Sequence, residues 1–196
     1  MKKLFVALTL GLFVPAMQAQ ELPLYPKVRI ETNRGDIVVK LDTAKAPITV
    51  YNFLEYVKKD QYDDTIIHRI IPGFMIQGGG YLVDYSEKPV GKPIPNESGN
   101  GLSNQPGTIA MARTNLPHTA TSQFFINLGD NNRLDPSPSR WGYTVFGEVV
   151  EGMEVIEAIA AIPTGPGGPF PTDAPQSMVI IEKISLIVQR PGSSAE

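Results

Sequence analysis

The chain has no cysteine, which removes several kinds of chemistry at once. Without a thiol there is no disulfide, no thiolate nucleophile and no cysteine metal site, and the cellular compartment stays open on this evidence. Histidine is also scarce, since only His68 and His118 are present. No HExxH spacing surrounds either of them, so we expect no metal site.

Strong charge and the common catalytic motifs are missing as well. The formal net charge is −3 over 196 residues, and no run of Lys or Arg is long enough for a nucleic-acid patch. There is no GxSxG element, no P-loop and no GxGxxG that opens a helix, so the sequence gives little support to a hydrolase or a nucleotide-binding protein. We therefore expect no cofactor and no nucleic-acid partner.

The first twenty residues, MKKLFVALTLGLFVPAMQAQ, have the layout of a secretory signal peptide. Lys2 and Lys3 precede an apolar stretch over residues 4–16, which is shorter than the ~20 apolar residues of a membrane span. We predict a signal peptide over residues 1–19, cleavage after Ala19, and an exported protein without membrane insertion after processing. The alternative is a buried N-terminal helix.

Local patterns predict many short strands and two helices. KVRIETNRGDIVVKL alternates around a turn and predicts a β-hairpin. APITVYNFLEYVKK and EGMEVIEAIAAI carry apolar residues at helical spacing, and the first has a proline suited to an opening turn. Further strands are predicted over residues 65–77, with a bend at Pro72-Gly73, and in GTIAMAR, SQFFINL, YTVFGEVV and MVIIEKISLIVQ. Residues 78–107 and 164–177 are predicted to be irregular. This order favours a β-barrel or sandwich capped by helices.

Arg69 is surrounded mostly by apolar residues in the segment IIHRIIPGFMIQGGG. A guanidinium among apolar neighbours is costly unless it is paired or used. Strand alternation would place Arg69 and Ile71 on one face, and His68 and Ile70 on the other. Gln123 and Phe125 likewise share a face. These residues could form a concave apolar patch with a few polar groups, which is the usual composition of a ligand site.

Four segments, HRIIPGFMIQGG, GTIAMART, TSQFFINL and YTVFGEVVEGMEVIEAI, resemble the cyclophilin family of peptidyl-prolyl cis/trans isomerases. The resemblance runs from about residue 28 to residue 188, and it is greatest to bacterial periplasmic cyclophilins. It implies a mainly β fold, a closed eight-stranded antiparallel β-barrel capped by two α-helices, as a single domain over residues 20–196. It also implies a periplasmic isomerase that acts on X–Pro bonds and assists the folding of exported proteins.

The resemblance assigns roles to individual residues of this sequence. It implies that Arg69 is catalytic and that no metal or cofactor takes part. Arg133 stands where many eukaryotic members carry a tryptophan that contacts cyclosporin, so we expect only weak cyclosporin binding. The implied substrate-binding residues are His68, Phe74, Met75, Gln77, Ala112, Arg113, Gln123, Phe125, Leu134 and Tyr143.

The expected partners are proline-containing segments of unfolded or folding exported proteins, and we expect a monomer. A second hypothesis is a chaperone or docking module that binds such segments with little turnover. The presence of Arg69 favours the enzyme, because a module that only binds has no need of it.

Overall fold

The computed structural model describes residues 23–188. The predicted hairpin is present, with strand β1 (Lys27–Thr32) paired to strand β2 (Gly35–Leu41) around the Asn33-Arg34 turn. Helix α1 (Pro47–Lys58) follows, and its first residue is the proline whose fixed φ suits a helix start. The predicted signal peptide lies outside the described residues.

The remaining strands close a barrel. They are β3 (Thr65–Ile71), β4 (Met75–Leu82), β5 (Thr108–Met111), β6 (Phe124–Asn127), β7 (Val145–Glu151) and β10 (Ile180–Ile187). The order around the barrel is β1-β10-β3-β4-β6-β5-β7-β2, and every neighbouring pair is antiparallel. This confirms the closed eight-stranded antiparallel barrel expected from the sequence.

Two helices pack against the barrel core, as predicted. The ring of Phe53 on α1 lies 5.0 to 5.8 Å from the rings of Tyr62, Phe124 and Phe146, and all four side chains are buried. Helix α2 (Met153–Ala160) buries Ile156 and Ile159. None of the helices within residues 23–188 is long and apolar enough to cross a membrane.

Two segments differ from the prediction. Strand β4 continues through the three glycines to Leu82, where we expected an irregular segment. Gly79 has a φ of +83°, and a Cβ on it would lie 2.9 Å from the ring of Tyr62, so only glycine suits this position. The segment predicted to be irregular after α2 contains a small separate sheet, β8 (Thr164–Gly167) with β9 (Phe170–Pro175).

Strand β3 also breaks the simple alternation expected of it. The pairing with β4 shifts between Ile67 and Arg69, so that His68 is an extra residue in the strand. Ile67 and Ile70 consequently both enter the barrel core, although they are three residues apart. The expectation that His68 shares a face with Ile70 is therefore wrong, because a bulge resets the register at this point.

Candidate active site

Four neighbouring strands present one continuous row of residues on the outside of the barrel. Arg69 on β3 is opposite Gln77 on β4, Gln77 is opposite Phe125 on β6, and Phe125 is opposite Ala110 on β5. The next row, Ile70, Ile76, Ile126 and Ile109, belongs to the barrel core. Because successive side chains of a strand point to opposite faces, the barrel itself brings the arginine, the amide and the aromatic ring together.

These residues line a cavity of about 150 Å³, which we call the groove. Met75 and Phe125 are buried in its floor together with Ala110 and Val145. The groove is lined by Arg69, Phe74, Met75, Gln77, Ala112, Arg113, Phe125, Leu134 and Tyr143. All nine are among the eleven site residues implied by the resemblance. The mixture of an apolar floor and a few polar groups suits a small apolar ring attached to a peptide.

The two remaining site residues, Gln123 and His68, are not among the residues that line the groove. Gln123 accepts a hydrogen bond from Gln77, with 2.9 Å between Nε2 of Gln77 and Oε1 of Gln123. Its side chain lies against Gly80, where a Cβ would come within 2.5 Å of it. Gln123 therefore orients the Gln77 amide, and it needs the glycine beside it to do so.

His68 does not line the groove. Its ring is almost fully buried, stacked on Phe170 of β9 at a centroid distance of 5.1 Å and an interplanar angle of 24°, with Tyr81 4.8 Å away on another side. Burial lowers the pKa of His68 from 6.5 to about 4, so the imidazole is neutral near pH 7. Its position supports the strand beside the groove and gives no support to a direct contact with a bound peptide.

Among the residues that the structure describes, one ion pair holds the guanidinium of Arg69. Its Nε donates to Oδ2 of Asp173 across 3.3 Å. Within residues 23–188, its two terminal amino groups have no hydrogen-bond partner, and about 40% of the side chain is exposed. Because Arg69 lines the groove, these two amino groups can serve as donors to a ligand. Asp173 is 104 residues away in the chain and was not found by sequence reasoning.

The outer wall of the groove depends on a network of buried amides that the sequence analysis also missed. Asn131 donates to the Phe74 carbonyl oxygen across 2.7 Å and to Oδ1 of Asn127 across 2.7 Å. Asn127 in turn donates to Asn104. The Phe74 turn and the short helix Asn132–Leu134 are therefore tied to the barrel, and Phe74 and Leu134 reach the groove from these two segments.

Two further arginines border the groove. Arg113 lies 4.3 Å above the Tyr143 ring and donates to the carbonyl oxygens of Thr114, Trp141 and Gly142, so most of its donors are used in holding loops. The guanidinium of Arg133 lies 4.5 Å above the Phe74 ring. It covers the outer side of a groove aromatic, at the position where the resemblance places tryptophan in eukaryotic members.

Larger cavities exist elsewhere on the surface, and they lack the combination of an arginine, an amide and an aromatic ring that the groove has. One of about 390 Å³ lies along residues 136–141, and one of about 780 Å³ lies between α1 and β10. Neither contains the row of Arg69, Gln77 and Phe125. Among residues 23–188, no three His, Cys, Asp or Glu side chains come together in a way that could hold a metal ion. Catalysis without a metal stays a prediction.

Comparisons with known proteins agree with the barrel fold. The family model described as "Cyclophilin type peptidyl-prolyl cis-trans isomerase/CLD" matches residues 27–186. The chain belongs to this family, and so to the peptidyl-prolyl cis/trans isomerases of the cyclophilin type.

Two bacterial relatives match this chain over nearly their whole length. The chain is 50% identical over 162 residues to peptidyl-prolyl cis-trans isomerase B of Escherichia coli (strain K12), covering 81% of this chain and 98% of that protein. It is 44% identical over 180 residues to peptidyl-prolyl cis-trans isomerase A of Dickeya dadantii (strain 3937), covering 92% and 93%.

A solved structure of a Cryptosporidium parvum cyclophilin type peptidyl-prolyl cis-trans isomerase matches with a TM-score of 0.70 at 27% identity, covering 85% of this chain and 99% of that one. A second structure of the same protein, in the presence of the dipeptide Ala-Pro, matches with a TM-score of 0.68 at 28% identity, covering 83% and 99%.

Proposed function

We propose that the groove binds an X–Pro segment and that Arg69 accelerates rotation about its peptide bond. The observation that carries this proposal is that Arg69 lines a cavity of about 150 Å³ together with Met75 and Phe125, and that its two terminal amino groups have no hydrogen-bond partner within residues 23–188. The apolar floor receives the proline ring. The guanidinium then lies beside the bond that rotates.

Rotation is slow without help because the nitrogen lone pair is delocalised into the carbonyl, which gives a barrier of ~18–20 kcal/mol. Isomerisation of X–Pro bonds accordingly takes on the order of tens to hundreds of seconds. At the twisted transition state the nitrogen becomes pyramidal and its lone pair is localised. A guanidinium can donate a hydrogen bond to that lone pair, which is not available in the planar ground state, so it binds the transition state more strongly than the substrate.

The other groove residues hold the chain on either side of the bond. Gln77, oriented by Gln123, offers an amide to the peptide backbone. Ala112 directly follows β5. Its N–H already donates to the Gln123 carbonyl oxygen across 2.9 Å, so this N–H is not a donor to the peptide. Arg69 is always charged and planar, so it can bind the substrate carbonyl oxygen and the prolyl nitrogen without a change of protonation. No bond is broken, and no nucleophile is required.

The Ala-Pro dipeptide in the relative's structure supports proline-containing segments as the ligand class for this chain. We propose unfolded or folding exported proteins as the source of these segments. Export is supported by Lys2, Lys3 and the apolar stretch over residues 4–16. We propose a periplasmic location on the basis of the same N-terminal residues.

A protease-coupled assay on a short X–Pro peptide tests the proposal against the alternative of a binding module. The protease cleaves only the trans peptide, so the slow phase reports isomerisation. We expect the protein to shorten the slow phase in proportion to its concentration, with or without EDTA. Binding of the peptide at an unchanged slow phase would favour the chaperone, and activity that EDTA abolishes and a divalent ion restores would refute the metal-free mechanism.

A further inference from the structure

The partner of Arg69 comes from outside the barrel. Asp173 belongs to β9, in the small sheet β8–β9, and its carboxylate reaches Nε of Arg69 across 3.3 Å. About 32% of the Asp173 side chain and 40% of the Arg69 side chain are exposed, so the pair lies at the rim of the groove. Nε of Arg69 donates this bond, and neither terminal amino group of the guanidinium has a hydrogen-bond partner within residues 23–188.

The backbone of Asp173 is in an uncommon conformation. Its φ is +65°, in the left-handed region that residues other than glycine seldom occupy, and the next residue, Ala174, is fully buried. Such a conformation persists when the surrounding structure determines it, and it is found disproportionately at functional sites. Here it accompanies a carboxylate that contacts Arg69.

The sheet β8–β9 is anchored next to Arg69 in the chain. Phe170 on β9 stacks on His68 and also contacts Tyr81 at a centroid distance of 5.1 Å. Because His68 is the bulged residue that immediately precedes Arg69, the aromatic contact and the ion pair attach the same short sheet to β3 at two consecutive residues. The position of the carboxylate is therefore set by packing and not by a flexible loop.

We propose that Asp173 is a positioning residue that holds the Arg69 guanidinium in the orientation needed at the transition state. The proposal rests on the proposed role of Arg69. A free arginine side chain loses rotamer freedom when it makes a directed hydrogen bond. An ion pair that fixes the side chain beforehand removes part of that cost from the reaction, as in other preorganised sites.

A double-mutant cycle on isomerase activity tests this directly. Asp173→Ala should lower kcat about 1.5- to 5-fold, the range expected when a partly exposed charge pair is lost, with KM little changed. Asp173→Asn should lower kcat by less, because the amide oxygen can still accept a hydrogen bond from Nε of Arg69. In the Arg69→Ala background, Asp173→Ala should have no further effect, since there is no guanidinium left to position.

Two control variants separate positioning from folding. Glycine suits the left-handed backbone at this position, so Asp173→Gly should keep the melting temperature of the parent. Because it also removes the carboxylate, its kcat should be as low as that of Asp173→Ala. Asp36→Ala breaks an exposed ion pair with Arg29. The pair lies on β1 and β2, which are not among the four strands that form the groove, so this variant should leave activity unchanged.

The outcomes distinguish the two proposals. Two results would overturn the positioning role: full activity of Asp173→Ala, or an equal loss of kcat from Asp173→Ala in the presence and in the absence of Arg69. If Arg69→Ala is itself slow, the proposed function stands in both cases. Full activity of Arg69→Ala overturns both.

Discussion

Acid should destabilise this protein through one buried imidazole, that of His68. The ring is 2% exposed, lies between Tyr81 and Phe170, and is followed in the chain by the positive charge of Arg69. Burial, with a smaller contribution from Arg69, lowers its pKa to about 4 in the folded protein, against 6.5 for the ordinary group. The unfolded chain therefore takes up a proton at a higher pH than the folded chain does.

The sign and the size of the effect follow from this difference. As the pH falls from 6.5 to 4, the unfolded state binds a proton that the folded state does not, so the free energy of unfolding decreases. Each pH unit between the two pKa values contributes ~1.4 kcal/mol, which gives about 2 kcal/mol between pH 7 and pH 5 and about 3 kcal/mol by pH 4. Below the folded pKa the contribution stops growing.

Denaturant unfolding at pH 7, 5 and 4 measures this loss, with His68→Phe as the matched variant because a phenyl ring can stack on Phe170 and cannot titrate. Between pH 7 and pH 4, the free energy of unfolding of the parent should fall by about 3 kcal/mol more than that of His68→Phe. The carboxylates should affect both proteins alike. The chain has only two histidines, so an NMR titration resolves the His68 imidazole by its absence in the variant. Equal acid losses in the two proteins, or a His68 titration near 6.5, would refute the reasoning.

Three further predictions concern the groove and export. Phe125→Ala should cost ~3–5 kcal/mol of stability and also raise KM, because Phe125 is both buried and part of the groove. Phe124 faces the barrel core, so Phe124→Ala should cost a similar amount of stability and leave the KM of the folded protein unchanged. Arg133→Trp should tighten cyclosporin inhibition with little change in turnover, since an indole adds apolar area and an N–H donor; tight inhibition of the parent would contradict the weak binding expected. Intact-mass measurement of protein from a periplasmic extract should give a start near Gln20, and a full-length mass in the cytosol would count against export.

The elements with a strong local pattern could be predicted from the sequence. The β1–β2 hairpin alternates around a turn, and α1 opens with Pro47 ahead of residues at helical spacing, so propensity and packing agree. The end of β4 could not be predicted in this way. Three successive glycines carry no side-chain periodicity, and their place in the strand is decided by the rings and side chains that lie against them.

The candidate site was predictable where strand alternation held and where the family motifs extended it. Arg69, Gln77 and Phe125 lie in one cross-strand row, as alternation on each strand suggests. His68 was misplaced because a bulge has no clear signature in a run of β-branched residues. Asp173 was missed for another reason: its contact with Arg69 spans 104 residues and depends on a small sheet within a Pro- and Gly-rich segment that has no strand pattern.

The central claim is that Arg69 acts at the transition state and not in holding the fold, and the kcat/KM of Arg69→Ala measured beside its melting temperature tests this most directly. Loss of one charged donor to a transition state costs ~2.7–4 kcal/mol in comparable sites, which is about a 100- to 1000-fold loss of rate. We predict that loss together with a melting temperature within a few degrees of the parent, because the side chain is partly exposed and makes one ion pair. Arg69→Lys should recover only part of the rate, since an ammonium lacks the planar set of donors. Near-full activity of Arg69→Ala, or a protein that no longer folds, would contradict the account.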